Sequence, residues 1–305
     1  MWFLFALISA CCLGFYDICK KQTLRNNDVI PVLFLNTLCS SILFLPILIA
    51  SYSGILLENS IFYMPETSFK ELGFIAVKSA LVLSSWVFGY IGIKHLPLTL
   101  VGPINATRPV MVLLGAILLF GESLDIYQWT GVIIAIIAFY LLRRSGKKEG
   151  IDFRHNRWVF FAILACVLGA CCGLYDKYLM AAPDEGGLGL NRITVQTYYN
   201  FYQCAIMGMV MLLFWLPKRK EYPIHWTWLI PCISFFLSVA DFVYLYALSL
   251  EGAMIAIVSM VRRASVIISF TFAAFVLHEK NIHDKAIDLF LVLLSMIFLA
   301  IGSMW

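Results

Sequence analysis

Apolar residues along this chain do not alternate with polar ones; they come in long runs. From Trp2 the sequence reads WFLFALISACCLGFY before its first charge at Asp17. Comparable runs return along the whole chain, separated by short polar breaks. Eighteen or more apolar residues in a helix are enough to cross a hydrocarbon core of ~30 Å. Breakers and charges divide the runs into ten elements, at roughly 2–20, 29–53, 71–93, 97–120, 126–142, 158–180, 192–216, 226–249, 253–277 and 286–304. The pattern predicts an all-α integral membrane protein with ten transmembrane helices. The N-terminus lacks a basic region and its apolar run continues to Cys19, so it reads as a retained first span and not a signal peptide. The most polar connection, RRSGKKEGIDFRHNR at 143–157, falls near the midpoint. It serves as a basic linker between two five-span halves, 1–142 and 158–305.

The halves resemble each other. ALISACCLGFYD (6–17) aligns without gaps on ACVLGACCGLYD (165–176), with identity at Ala6, Cys12, Gly14, Tyr16 and Asp17. Both carry small residues four apart, Ala6, Ala10, Gly14 and Ala165, Gly169, Gly173. Such ladders let helix backbones approach closely in lipid. A second match, in the same order, pairs LLFGESLDIYQW with AFVLHEKNIHDK around Glu122 and Glu279. Duplication follows, and because five is odd the second copy must sit upside down. The loops agree: Lys20, Lys21 and Arg25 after span one correspond to Asp184 and Glu185 after span six. Likewise Glu58 and Glu66 after span two correspond to Lys218, Arg219 and Lys220 after span seven. That sign reversal is what an inverted repeat obeying the positive-inside rule produces.

Composition supports this and narrows the function. Hydrophobic residues make up 62% and charged residues only 13%, against roughly 25% charged in soluble domains. The net charge of +4 comes without a basic patch set among stacking aromatics, so nucleic acid is not an expected partner. Nine cysteines lie mostly within apolar runs and form no CxxC pair, so they read as small packing residues, with no metal or cofactor implied.

Ten spans in two halves, with Gly-Glu (Gly121, Glu122) ending the fourth and Gln-x-x-Gly (Gln128, Gly131) opening the fifth, resemble the EamA-type transporters of the drug/metabolite transporter superfamily. The Gly14-to-Lys21 spacing resembles that family's Trp-Gly…Lys pattern, with Leu13 in place of Trp. The second half departs further: His278 precedes Glu279, and Asp288 stands where glycine is expected. The resemblance implies movement of small metabolites by alternating access and names no substrate.

Fifteen of the 22 Lys and Arg follow odd-numbered spans. The bias predicts both termini outside, opposite to the cytoplasmic termini usual in the resembled family, in a multi-pass protein of a bacterial inner membrane. Four basic residues fall inside spans, Lys78, Arg108, Arg262 and Arg263, with Asp241 near the middle of span eight. Each charge at the bilayer centre costs about 2.5–3.5 kcal/mol on insertion scales, so such residues are candidates for function. Lys78 lies about two turns into its helix, where snorkelling and function are equally open. Arg262 and Arg263 stand about 100° apart, so at most one points squarely into a pathway. Asp241 is either a neutralising partner for one of them or a proton carrier.

Polar stripes support a wet pathway: Arg192, Gln196, Asn200 and Gln203 on span seven, Ser234, Ser238 and Asp241 on span eight, Asn105 and Arg108 on span four. The expected substrate site therefore comprises Arg108, Arg263, Asn105, Gln196, Asn200, Asp241 and Lys78, flanked by Trp86 and Tyr199. An excess of basic charge within the spans favours an anionic or zwitterionic metabolite held by Arg108 and Arg263. Tyr16-Asp17 and Tyr175-Asp176 end symmetry-related spans on opposite faces. Each is either an interfacial ion pair, Asp17 with Lys20 or Lys21, or part of a gate. His278-Glu279…His283 fails as a zinc motif because its histidines are five apart, and no nucleotide or Gly-x-Ser-x-Gly motif is present. The alternative function is an intramembrane enzyme on a lipid-linked substrate, with Asp17/Tyr16 or Asp176/Tyr175 as its only loose candidates. A monomer and a homodimer both fit the apolar fifth span.

Overall fold

The computed structural model describes residues 2–54, 60–120, 124–180, 183, 186–221, 223–249 and 255–302. Glu58, Glu122, Asp184 and Glu185 of the sequence comparison lie outside the described residues. The elements among the described residues are helices: α1 (Trp2–Asn26), α2 (Val29–Tyr52), α3 (Phe69–His95), α4 (Leu98–Ala106), α5 (Arg108–Phe120), α6 (Ile126–Lys147), α7 (Arg157–Met180), α8 (Arg192–Val210), α9 (Leu229–Ser249), α10 (Ile255–Arg263), α11 (Ser265–Phe275) and α12 (Ile282–Gly302). A π-helical turn, Met211–Trp215, and a 3-10 turn, Leu216–Lys218, prolong α8. Spans four and nine, expected as single helices, are each broken in two, α4 with α5 and α10 with α11. Ten spans result, and eight of them are long and apolar enough by themselves to cross a membrane.

Local sequence sets the ends. Ser68 and Glu71 form a capping box at α3, where the Glu71 carboxylate accepts from the Ser68 N–H at 2.7 Å. Asp125 and Gln128 do the same for α6, which gives the Gln-x-x-Gly glutamine a structural task. Asn156 and Asn191 accept the first free N–H groups of α7 and α8.

The connections after spans one, three, five, seven and nine meet on one face. Lys21 Nζ donates to the Ile93 and Leu96 carbonyls at 2.6 Å, closing the end of α3. Asn27 and His225 exchange side-chain and backbone hydrogen bonds. Glu279 accepts from the Leu98 and Thr99 N–H groups at 2.8 and 2.9 Å, capping α4 from beyond the ninth span. Lys285, fully buried, pairs with Glu149 at 2.7 Å and donates to Thr99 Oγ1. At the opposite face the Tyr52 and Tyr198 hydroxyls hydrogen-bond, and Tyr175 donates to the Phe74 carbonyl. Successive spans therefore alternate in direction, and α7 runs opposite to α1.

Packing follows the order of the halves. α1 lies on α9 as α7 lies on α3, and α1 crosses α10 and α11 as α7 crosses α4 and α5. Corresponding spans also meet each other, α2 on α8, α6 on α12 and α4 on α11. The main core, with Leu24, Val32, Leu33, Tyr90, Ile93 and Ile104 fully buried, lies among α1, α2, α3 and α4. Glycines set the closest crossings. A Cβ on Gly102 of α4 would come 2.5 Å from Val266 of α11, and one on Gly131 of α6 would come 2.9 Å from both Leu299 and the Ser295 carbonyl of α12. Ser295 seals that last contact by donating to the Gly131 carbonyl.

Candidate functional site

Proline chemistry breaks span four. Pro109 has no N–H, so the Asn105 carbonyl loses its partner one turn on. The chain turns at Thr107, whose hydroxyl donates to the Ile104 carbonyl at 2.7 Å, and Cys166 of α7 donates its thiol to the same oxygen. Span nine has no proline; its break is one tight step at Ala264, whose N–H is shared between the Met260 and Val261 carbonyls. The breaks place Arg108 as the first residue of α5 and Arg263 as the last of α10. Discontinuous helices at corresponding positions are a recurrent way of building a midplane site in transporters.

Both arginines lack an ion pair or hydrogen bond among the described residues, and Arg108 Nε is buried without a partner. They lie within electrostatic reach of each other and of Arg262. Arg262 is spoken for: it pairs with Asp241 and rests over the Tyr244 ring at 4.4 Å. Asp241 thus neutralises one arginine and leaves two without an ion pair among the described residues.

The other expected residues fall into two clusters. Lys78 does not snorkel; it is 7% exposed and pairs with Asp176 at 2.7 Å, with its ammonium 5.2 Å from the centre of the Tyr199 ring. Asp17 pairs with Lys20 at 2.7 Å, the interfacial pair of the sequence reading, and Lys20 lies over the rings of Tyr16 and Tyr90 at 4.1 and 5.1 Å. The aspartate of each Tyr-Asp copy therefore pairs with a lysine that lies over tyrosine, two rings in the first copy and the Tyr199 ring in the second. Tyr175 is turned away to α3. Trp86 packs on the main core. Gln196 and Asn200 are buried, and Asn105 is half-buried at the break with no side-chain hydrogen bond among the described residues.

Two residues absent from the sequence reading complete the interior. Asn36 donates to the Tyr90 hydroxyl at 3.4 Å and accepts from Ser234 at 2.9 Å, and Tyr90 meets the Tyr16 hydroxyl at 3.5 Å. Asn36 was visible as the only amide in the apolar run of span two; Tyr90 had no signal beyond its hydroxyl.

Gly169 makes room for Arg108. A Cβ there would lie 2.5 Å from Arg108 Cζ and 2.6 Å from Nε. The group to be displaced is the flexible end of a side chain, so Gly169→Ala should change stability by less than about 1 kcal/mol while moving the guanidinium. Any binding or transport that depends on this guanidinium should fall severalfold with the thermal midpoint nearly unchanged. Equal loss of both would mean that Gly169 serves packing alone.

Comparison with known proteins agrees with this architecture. Residues 1–144 match the EamA-like transporter family. A protein of Archaeoglobus fulgidus named an uncharacterized transporter is 23% identical over 169 residues, 53% of this chain and 53% of that protein. The chain thus spans about half the length of the curated relative it matches. A solved crystal structure, 14% identical, superposes at a TM-score of 0.56 over 95% of this chain and 96% of its own, a likeness of fold alone. No group of three or more metal-ligating side chains occurs among the described residues. The chain is a multi-pass membrane protein whose first 144 residues are similar to the EamA-like transporter family.

Proposed function

We propose that the chain is a secondary transporter for a small anionic or zwitterionic metabolite, working by alternating access between two inverted five-helix halves, 1–142 and 158–305, joined by the basic linker 143–157. One observation carries this reading: two arginines without an ion pair among the described residues stand at the broken fourth and ninth spans, within electrostatic reach of each other. Two like charges held together away from water are unfavourable until a counter-charge arrives. A carboxylate or phosphate between Arg108 and Arg263 supplies it, and the planar guanidinium can bind either through two hydrogen bonds. In this reading Asn105 at the break and Tyr199, Gln196 and Asn200 on α8 flank the remainder, supported by Tyr199 lying within electrostatic reach of Arg262 and Asp241.

The Lys20–Asp17 and Lys78–Asp176 pairs support gates, one at each end, that open and close in turn. Any coupling to protons would run through release of Asp241 from Arg262. The face joining the odd-numbered connections carries most of the basic residues, and it is assigned to the cytoplasm on the charge rule.

Counterflow of a carboxylate and phosphate mixture in proteoliposomes tests the reading. Arg108→Lys and Arg263→Lys keep the charge and lose the fork, so each should weaken uptake about tenfold. Uptake by both variants at the level of the unmodified protein would end it.

A further inference from the structure

The arginines account for a charge but not for what lies along α8. Thr194 Oγ1, Gln196 Oε1, Thr197 Oγ1 and both amide atoms of Gln203 are buried without a hydrogen-bond partner. Gln203 and Thr197 are fully buried, and Gln196 is 5% exposed. Unpaired polar groups in the interior are costly, so one helix seldom keeps several of them without purpose. Nor can α8 rotate to relieve them. Ser79 of α3 donates to the Tyr199 carbonyl and Ser41 of α2 to the Asn200 carbonyl, fixing the helix from two sides. Gln196 and Gln203, seven residues apart, share one face of α8, whereas Thr194 and Thr197 lie on the other side; the glutamine stripe is uncharged and bears both donors and acceptors. It adjoins the charged centre through Tyr199, which lies within electrostatic reach of Arg262, Asp241 and Asp176. From Gln196 to Gln203 is two helical turns, about 10 Å.

We infer that this stripe is a second, neutral half of the substrate site, taking the hydroxyl or amide groups of the anion whose charge the arginines hold; the inference rests on the anion reading above. The substrate is then a hydroxylated or amide-bearing anion of several carbons, and not an aliphatic or aryl acid. A site built to hydrogen-bond such groups rejects an analogue that lacks them, because its own buried groups stay unpaired.

Two probe pairs matched in charge and chain length test this on the purified full-length protein, read as thermal stabilisation against concentration. Gluconate should bind at least about tenfold more tightly than hexanoate, and glycerol 3-phosphate likewise against propyl phosphate. Gln203→Leu and Gln196→Leu remove the orphaned amide atoms with little change in shape, so each should erase most of that preference. Equal binding within each pair, weakened by Arg108→Lys, would overturn the neutral subsite while the anion reading stands. So would a preference that survives both leucine variants, which would leave the stripe to buried water. No stabilisation by any of the four probes would overturn the anion reading and the subsite with it.

Discussion

Lys285→Met should destabilise the protein by about 3–5 kcal/mol, the cost of removing one partner from a buried ion pair. Lys285 is fully buried in the first turn of α12, where its ammonium meets Glu149 at 2.7 Å and Thr99 Oγ1 at 2.9 Å. Methionine preserves the packing of the stem and deletes only the charge, stranding a Glu149 side chain that is 9% exposed. The double variant Lys285→Met/Glu149→Gln should recover most of the loss, because a neutral pair no longer carries an uncompensated buried charge. Unfolding of the four proteins in mixed micelles gives the coupling directly. Additive losses would show that the two side chains do not act as a pair. The effect should be local to one face, where Thr99 also binds Glu279. The start of α4 is therefore held from the second half of the chain by two charged side chains.

That network shows where sequence reasoning stopped. Ten spans were legible because lipid demands long uninterrupted apolar runs, and their order and alternation follow from the connections between them. Glu279 was visible as a marker of the repeat, aligned with Glu122, but its task was not. The carboxylate closes the N-terminus of a helix 180 positions earlier in the chain, a contact only the tertiary fold creates. The break in span four left a trace in Pro109, although span four read as one continuous helix. The break in span nine left none, since no proline or glycine marks Ala264.

The site divided in the same way. Charges inside apolar runs are few and conspicuous, so Arg108, Arg262, Arg263, Lys78 and Asp241 could be picked out by cost alone. Which charge faces which could not. The 100° separation of Arg262 and Arg263 meant that one would differ from the other, and the fold decides it: Arg262 takes Asp241, while Arg263 has no ion pair among the described residues. Asp176 had no basic residue at i+3 or i+4 in its own helix, which weakened the case for an interfacial ion pair there. Its partner, Lys78, comes from α3, and helical spacing carries no information about such a neighbour.

Gly14→Ala should cost about 1–3 kcal/mol, as overpacked interiors do, whereas Gly173→Ala should stay within about 0.5 kcal/mol, as substitutions away from tight contacts do. The two glycines occupy the same place in the repeated Gly-x-Tyr-Asp motif, so the sequence treats them alike. The fold does not. A Cβ on Gly14 would lie 2.6 Å from Ile268 Cβ and 3.2 Å from the Ser265 carbonyl of α11. Neither atom can retract by changing rotamer, because one is attached directly to the backbone and the other belongs to it. α1 would have to move off α11, and Ser265 is the first residue after the break that places Arg263. A Cβ on Gly173 meets only Val112 Cγ2 at 3.6 Å, ordinary contact distance, on a position exposed at the surface of α7. The tight approach to the first half's arginine falls instead one turn earlier, at Gly169. Unfolding of the two variants in mixed micelles decides the matter. Equal losses would mean that the crossings of α1 with α11 and of α7 with α5 are packed alike, against the distances in this structure.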